Sequence, residues 1–406
     1  MKTLFEKFRA LQDKREALLA SMPVNPFNLV IDKMLSPTEA QIDGRRVLLV
    51  GTNNYLGLSF DQNCLEAAGK ALYENGTGTT GSRIANGNYA EHLALERDFA
   101  EFYGYSHGLL FSTGYQANLG MISALAQHQD CLLIDAHCHA SIYDACRLSR
   151  AEVLPFRHND IKNLEKRLRN LGQKSERTLV VVEGLYSMLG DTAPLSEIAD
   201  VTSAFGSTLL VDEAHSLGVY GDHGRGLVEK EGILDQVDFI VGTFSKSLAG
   251  VGGFCVSPHP ELELIRYASR PYMFSASSSP TTIASTRAAL KQLRGRPELR
   301  SKLWLNAHRL HAGLKRIGLN LAADPSPVIA ILFDSSEQAI AFWNALFERQ
   351  IYANLVLPPG APDGYSLLRC SVSAAHTTHQ VDDVVNTFAK IKRSYSSGFS
   401  RFISAT

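Results

Sequence analysis

Seven short, almost continuously apolar segments between residues 107 and 257 restrict the fold of this chain more than anything else in it. They are "HGLLFS" (107–112), "CLLIDA" (131–136), "AEVLPF" (151–156), "TLVVVEG" (178–184), "STLLVDEA" (207–214), "DFIVGT" (238–243) and "GGFCVS" (252–257). Strands without polar alternation are buried on both faces. Helical stretches separate them, so the pattern predicts an α/β protein with a mostly parallel sheet covered on both sides. Ligands of such sheets bind beyond the carboxyl ends of the strands. The chemistry-bearing residues of this chain cluster there. Ser112-Thr113-Gly114-Tyr115 follows the first strand, and Asp135 and His139 follow the second. Glu183 follows the fourth, Asp212 and His215 the fifth, and Lys246 the sixth.

Outside this block, residues 1–21 read as a charged amphipathic helix with Leu4, Phe8, Leu11 and Leu18 on one side. "VLLVGTNNYLGL" (47–58) reads as a strand leaving into a polar turn. After residue 285 a long helical region leads to strands in "PVIAILF", "IYANLVL" and "YSLLRCSVS". The expected division is an N-terminal helix and arm (1–44), a large domain (45–285) and a smaller C-terminal α/β domain (286–406). Net charge is −1, so no basic field recruits nucleic acid. No apolar run approaches the roughly 18 residues that span a bilayer. Six cysteines lie far apart, which reads as reduced and cytoplasmic. "HCH" (137–139) with Cys131 and Cys146 lacks a CxxC knuckle, and no metal site is expected.

Three features carry chemistry. Ser112 to Asn118 opens a helix after a strand, and free N–H groups beside a glycine suit a phosphate; taken alone, this is equally an ordinary N-cap. Asp212, ending a strand, could hold a ring nitrogen protonated, or simply cap a helix. Lys246 stands in "GTFSKSLAGVGG", a lysine among small residues just past a buried strand. Such a lysine can form a Schiff base with an aldehyde, and Thr243 and Ser245 lie beside it as phosphate partners. A phosphate cradle, an acid for a pyridinium and a Schiff-base lysine are the parts that hold pyridoxal 5'-phosphate (PLP).

Roughly residues 20–390 resemble the α-oxoamine synthases, which are fold type I PLP-dependent transferases. The resemblance rests on "GTNNYLGL", "GTGTTGSR", "FSTGYQANLG", "DAHCHASIYDA", "EGLYSMLGD", "VDEAHSLGVYG", "GTFSKS" and "LLRCSVSAAHT". It implies a large domain built on a mostly parallel, seven-stranded sheet and a smaller C-terminal α/β domain. It also implies roles. Lys246 carries PLP and moves protons, Asp212 pairs with the pyridine nitrogen, His139 stacks on the ring, and His215 meets the phenolic oxygen. Ser112, Gly114, Tyr115, Ser187, Thr243 and Ser245 serve the cofactor, and Ser275 reaches the cofactor phosphate of the neighbouring subunit of a homodimer. Asn54, Ser82, His139 and Arg369 meet the substrate. "SPTEA", "FRHN", "SMLGD" and "RPYMFSAS" resemble the branch that joins L-serine to a long-chain fatty acyl thioester with loss of CO2. A relative using glycine or alanine with an acyl-CoA or acyl carrier protein is the alternative. Basic and apolar residues of the first helix and the tail suit either a helix packed across a dimer with a mobile tail or weak peripheral contact with a membrane.

Overall fold

The computed structural model describes residues 3–20, 22 and 24–402, with side chains throughout except at positions 14, 17, 18 and 396–402. The chain forms two compact units. One comprises Asn53–Leu305 with Ser373–Ala375, the other Met1–Thr52, Asn306–Val372 and His376–Thr406. The cut expected at 285/286 falls inside a helix, Pro280–Gly295, of the first unit. The strand expected at the start of 47–58 forms as Arg45–Leu49 and belongs to the second unit.

All seven predicted strands form in the first unit: β1 (His107–Phe111), β2 (Cys131–Asp135), β3 (Glu152–Phe156), β4 (Thr178–Glu183), β5 (Thr208–Asp212), β6 (Phe239–Thr243) and β7 (Gly253–Ser257). They make one sheet in the order β1-β7-β6-β5-β4-β2-β3. Pairs β2–β3, β2–β4, β4–β5 and β5–β6 are parallel, and β7 runs antiparallel to both β1 and β6. The exception has a local cause. The connection 244–252 is too short for a crossover, so β7 must return beside β6 in the opposite sense. Every residue of β2, β4, β6 and β7 is buried, which is why these strands carry no polar alternation.

Between the strands lie α1 (Gly114–Leu125), α2 (Ala140–Ser149), α3 (Ile161–Leu171) and α4 (Leu195–Ala204). Met121 and Ile122 of α1 and Ile142 and Ala145 of α2 join Leu132, Ile134 and Val181 of the sheet in one apolar cluster. Each helix that borders the site is capped by a side chain. Thr113 accepts from Gln116 N at 3.0 Å, and His139 accepts from Ser141 N at 3.2 Å. These caps bind helix starts to strand ends and fix the first-turn amides.

The second unit holds two small sheets. Val328–Phe333, Ser366–Ser371 and Asn354–Val356 form an antiparallel sheet with Ser366–Ser371 in the centre. Lys33–Ser36, Glu39–Ile42 and Arg45–Leu49 form a meander, to which Ile351–Tyr352 adds in parallel. The predicted strand in "IYANLVL" therefore splits at Ala353 and serves both sheets. The helix expected over 1–21 is two helices, Thr3–Glu6 and Arg9–Ala20. Leu4, Phe8 and Leu11 are exposed; the side chain of Leu18 lies outside the described residues, as do the tail side chains from 396 onward.

Glu213 follows β5 and is fully buried. It accepts from Val228 N at 2.7 Å, from Leu227 N at 3.1 Å and from the Ser216 hydroxyl, fastening the segment 216–228 to the strand end. Burial pushes its pKa up to about 8, against the opposing pull of the two backbone N–H groups. A carboxyl whose folded pKa exceeds its unfolded value loses stability as pH rises between the two. Glu213→Gln cannot titrate, and its amide N–H₂ would face the Leu227 N–H. The variant is therefore expected to melt below the wild type at pH 5, with the gap narrowing toward pH 8. A gap independent of pH would show that Glu213 does not titrate in this window.

Candidate active site

The carboxyl edge of the sheet brings three acids together. Asp212 ends β5, Glu183 ends β4 beside it as its direct register partner, and Asp135 ends β2 on the far side of β4. All three are buried. Asp212 accepts from Asn118 Nδ2 at 2.7 Å and from Ala214 N at 2.8 Å. Glu183 accepts from the backbone N–H of His139. Desolvation raises the Glu183 pKa well above the carboxylate range, with Asp212 adding to the rise and Lys246 opposing it.

A cavity of about 270 Å3 opens above this edge. Thr113, Gly114, Tyr115, His139, Asp212, His215, Thr243, Ser245 and Lys246 line it. Eight of the expected site residues thus meet in one place, drawn from β5 and β6 and from the starts of α1 and α2. Lys246 stands on the turn between β6 and β7. Phe244 N donates to Gly252 O at 3.0 Å, Gly250 N to Phe244 O at 2.9 Å and Ala249 N to Lys246 O at 3.0 Å. Phe244 is buried and stacks on Phe99, while Ser247 Oγ donates to Leu217 O at 2.6 Å. The turn is pinned on both sides of the lysine. Its glycines answer a steric need: a Cβ on Gly252 would fall 2.2 Å from the Phe244 ring.

Gly114 has a similar cause. A Cβ there would stand 2.8 Å from Thr243 Oγ1, so glycine lets the start of α1 close on the end of β6. Thr243 Oγ1 and Ser245 Oγ lie 2.9 Å apart. The Gly114 and Tyr115 amides at the start of α1 have no acceptor within the helix, and Ser245 Oγ lines the same cavity, while the Thr243 hydroxyl donates to Gly252 O at 3.0 Å. The two amides and Ser245 Oγ are the donor set an anionic group requires.

His139 is held by its Nδ1, which takes the Ser141 N–H at 3.2 Å and lies 2.8 Å from Ser141 Oγ. A nitrogen that accepts a backbone N–H is unprotonated, so the neutral ring carries its proton on Nε2. Desolvation holds its pKa below the ordinary value; Asp212 opposes that shift and Lys246 adds to it. Asn118 connects the parts, because its Nδ2 donates both to Asp212 and to Ser141 Oγ, the latter at 3.0 Å. Asn118 Oδ1 is buried without a protein partner. His215 Nδ1 lies 2.7 Å from Tyr55 Oη, which fixes that ring from the opposite side.

Other expected residues lie elsewhere. Ser275 Oγ accepts from Gln116 Nε2 at 2.9 Å, and Ser112 Oγ donates to Ala276 O, which also pairs with Ser82 in a short bridge. These three serines form a group of their own beside the start of α1. Asn54 Nδ2 donates to Ser59 Oγ at 2.8 Å. Ser187 sits in the loop after β4 and does not line the cavity. Arg369 is buried in the second unit on the central strand of its antiparallel sheet, with Nη1 2.9 Å from Ser371 Oγ. Of the "HCH" residues, His137 stacks on His158 at 3.9 Å and Cys138 is buried.

Residues 45–388 match the family described as aminotransferase class I and II. Serine palmitoyltransferase of Caulobacter vibrioides (strain NA1000 / CB15N) is 52% identical over 388 residues, which cover 96% of each chain. The chain belongs to the α-oxoamine synthases. Solved structures agree. A serine palmitoyltransferase from Sphingomonas wittichii superposes with a TM-score of 0.94 at 47% identity, covering 97% of this chain and 99% of that one. A structure of SPT with a PLP internal aldimine has a TM-score of 0.94 at 44% identity, with the same coverage. The fold of this α-oxoamine synthase is that of the fold type I PLP-dependent transferases.

Reading the motifs left Asn118, Ser141, Glu183 and Tyr55 without a role. Asn118 had a usable signal, since it stands one helical turn after Gly114 and so faces the same way. Its support of Asp212 is testable. Asn118→Leu keeps the volume but donates nothing, and a lost hydrogen bond to a charged group costs about 1.5–3 kcal/mol. The variant apoprotein is expected to melt at lower temperature than the wild type. An unchanged melting temperature would mean that Asp212 draws no support from Asn118.

Proposed function

We propose that this α-oxoamine synthase uses PLP to condense L-serine with a long-chain fatty acyl thioester of the palmitoyl-CoA type. The products are 3-ketosphinganine, CO2 and the free thiol, the first step of sphingolipid biosynthesis. The observation that carries this reading is the single cavity in which an amine, a paired carboxylate, an anion cradle and a neutral imidazole meet, on a chain similar over nearly its whole length to serine palmitoyltransferases. The parts fit PLP. Lys246 offers the amine, Asp212 the acid for a ring nitrogen, and Gly114, Tyr115, Thr243 and Ser245 the phosphate site. When bound, PLP supplies the electron sink that makes a carbanion at the amino-acid Cα accessible.

The protein's own contribution is placement and proton control. Asp212, oriented by Asn118 and the Ala214 N–H, would meet the ring nitrogen of the bound cofactor. Lys246 would hold the cofactor and is the amine placed to move the proton at the amino-acid Cα. His139, its Nδ1 held by Ser141, would lie against the ring with its Nε2 proton available to the serine carboxylate. His215, set by Tyr55, meets the phenolic oxygen. Roles for Ser112 and Ser187 toward the cofactor, and for Asn54, Ser82 and Arg369 toward the substrate, rest on the resemblance alone, since none of the five lines the cavity. The working form in this reading is a cytoplasmic homodimer in which Ser275 serves the neighbouring cofactor site. Closed two-fold pairing is the commonest soluble assembly, and the six cysteines stand as buried free thiols. No helix among the described residues is long and apolar enough to cross a membrane. Exposed Leu4, Phe5, Phe8 and Leu11 support weak peripheral contact with an anionic bilayer.

The test is an amino-acid screen of the PLP-loaded enzyme by absorption, followed by mass spectrometry of the product formed with palmitoyl-CoA. L-serine is expected to change the spectrum at lower concentration than glycine or L-alanine, and the product is expected to have the mass of 3-ketosphinganine. Preferred condensation of glycine or alanine would assign the chain to another branch of the family.

A further inference from the structure

His158 has no place in the account above, yet its surroundings are more constrained than those of most histidines in the chain. Its ring lies between two carboxylates. Nδ1 is 2.8 Å from Asp135 Oδ1, and Nε2 is 2.7 Å from Asp191 Oδ2. Both oxygens are acceptors, so a ring bonded to both donates at each nitrogen and is an imidazolium. His137 stacks on one face with ring centres 3.9 Å apart, and Tyr186 meets the ring edge-on at 4.5 Å. Burial works against the charge, but the hydrogen bonds to Asp135 and Asp191 outweigh it and push the pKa up to about 9.

The next residue repeats the bridge. Asn159 N donates to Asp135 Oδ2 at 2.9 Å, while Asn159 Nδ2 donates to Asp191 Oδ2 and to Thr192 O, both at 3.1 Å. Asn159 reaches them with φ at +53°, in the left-handed region that asparagine tolerates better than most residues.

What these two residues join is the site. Asp135 starts the turn that ends at His139, and it also accepts the His137 N–H at 2.8 Å. Asp191 closes the loop 184–192, whose ends pair at Leu185 and Thr192 and which carries Ser187. That loop begins directly after Glu183, the acceptor of the His139 N–H. One turn is thus held at its far end by Glu183 and at its near end by the His158 bridge.

We propose that His158 is a positioning residue for the condensation: bridging Asp135 and Asp191, it locks the 135–139 turn to the 184–192 loop and so sets how His139 meets the bound amino acid. The proposal rests on the function proposed above. Replacing the imidazolium by a neutral group leaves Asp135 short of a donor and releases the loop. Effects are therefore expected on serine, which His139 meets, and not on the acyl thioester.

The experiment uses the PLP-loaded enzyme with His158→Gln and, separately, Asp191→Asn, which removes only one arm of the bridge. Serine affinity is read by absorption titration, the asymmetry of the bound cofactor by visible circular dichroism, and KM for each substrate by steady-state assay. His158→Gln is expected to bind PLP at wild-type stoichiometry, weaken serine binding about tenfold and raise KM for serine alone, as small displacements of a positioning group do. The dichroism of the serine complex changes with it. Asp191→Asn is expected to move the same readouts in the same direction by less, and it decides the matter should His158→Gln fail to fold. Wild-type serine affinity and dichroism in the variants would overturn the proposal, as would equal losses for serine and thioester. A wild-type enzyme that gives no response to serine would instead overturn the functional reading and this proposal with it.

Discussion

Three acids buried side by side at the carboxyl edge of one sheet govern the rest of this site. Asp212, Glu183 and Asp135 end three neighbouring strands, and neighbouring strands lie about 4.8 Å apart. Buried carboxyls so close cannot all be ionised without compensation. Each is resolved differently. Asp212 takes a side-chain amide and a backbone N–H, Glu183 rises in pKa and takes the His139 N–H, and Asp135 takes two backbone N–H groups and His158. Satisfying these acids fixes the start of α1, the turn into α2 and the loop after β4. Lys246 adds positive charge to the same edge, which favours the ionised form of Glu183 and disfavours a protonated His139.

The consequence is a cavity whose histidines and lysine are held in place by the side chains and turns around them. His139 keeps one tautomer because Nδ1 caps α2. His215 is turned by Tyr55. Lys246 projects from a turn whose neighbours are packed and hydrogen-bonded, so the lysine is the extensible part of an otherwise fixed frame. Preorganisation of this kind lets a cofactor's chemistry be directed with little rearrangement of the protein.

Much of this was legible in the chain itself. Strands buried on both faces announce themselves as unbroken apolar runs, and all seven formed. Residues at strand ends follow from the same pattern, which is why Lys246, Asp212, His139 and His215 could be placed at one edge before any geometry. Less was visible where pairing decides the outcome. Nothing local to "IYANLVL" says that Ile351–Tyr352 joins one sheet and Asn354–Val356 another, because short strands take their partners from distant sequence. The strand at Arg45–Leu49 was assigned to the large domain for the same reason. Tyr55 is not legible because a phenol in a motif gives no sign of what it will meet until the chain folds, whereas Asn118, one helical turn after Gly114, is.

The central claim is that the turn between β6 and β7 holds PLP through Lys246. Borohydride reduction of the PLP-loaded enzyme, followed by protease digestion and mass spectrometry of the peptides, tests it most directly. Reduction fixes the Schiff base in place, and the pyridoxyl group is expected on the peptide containing Lys246 and to be lost from the Lys246→Ala variant. A pyridoxyl group on any other lysine, or none after reduction of enzyme that had bound PLP, would contradict the account.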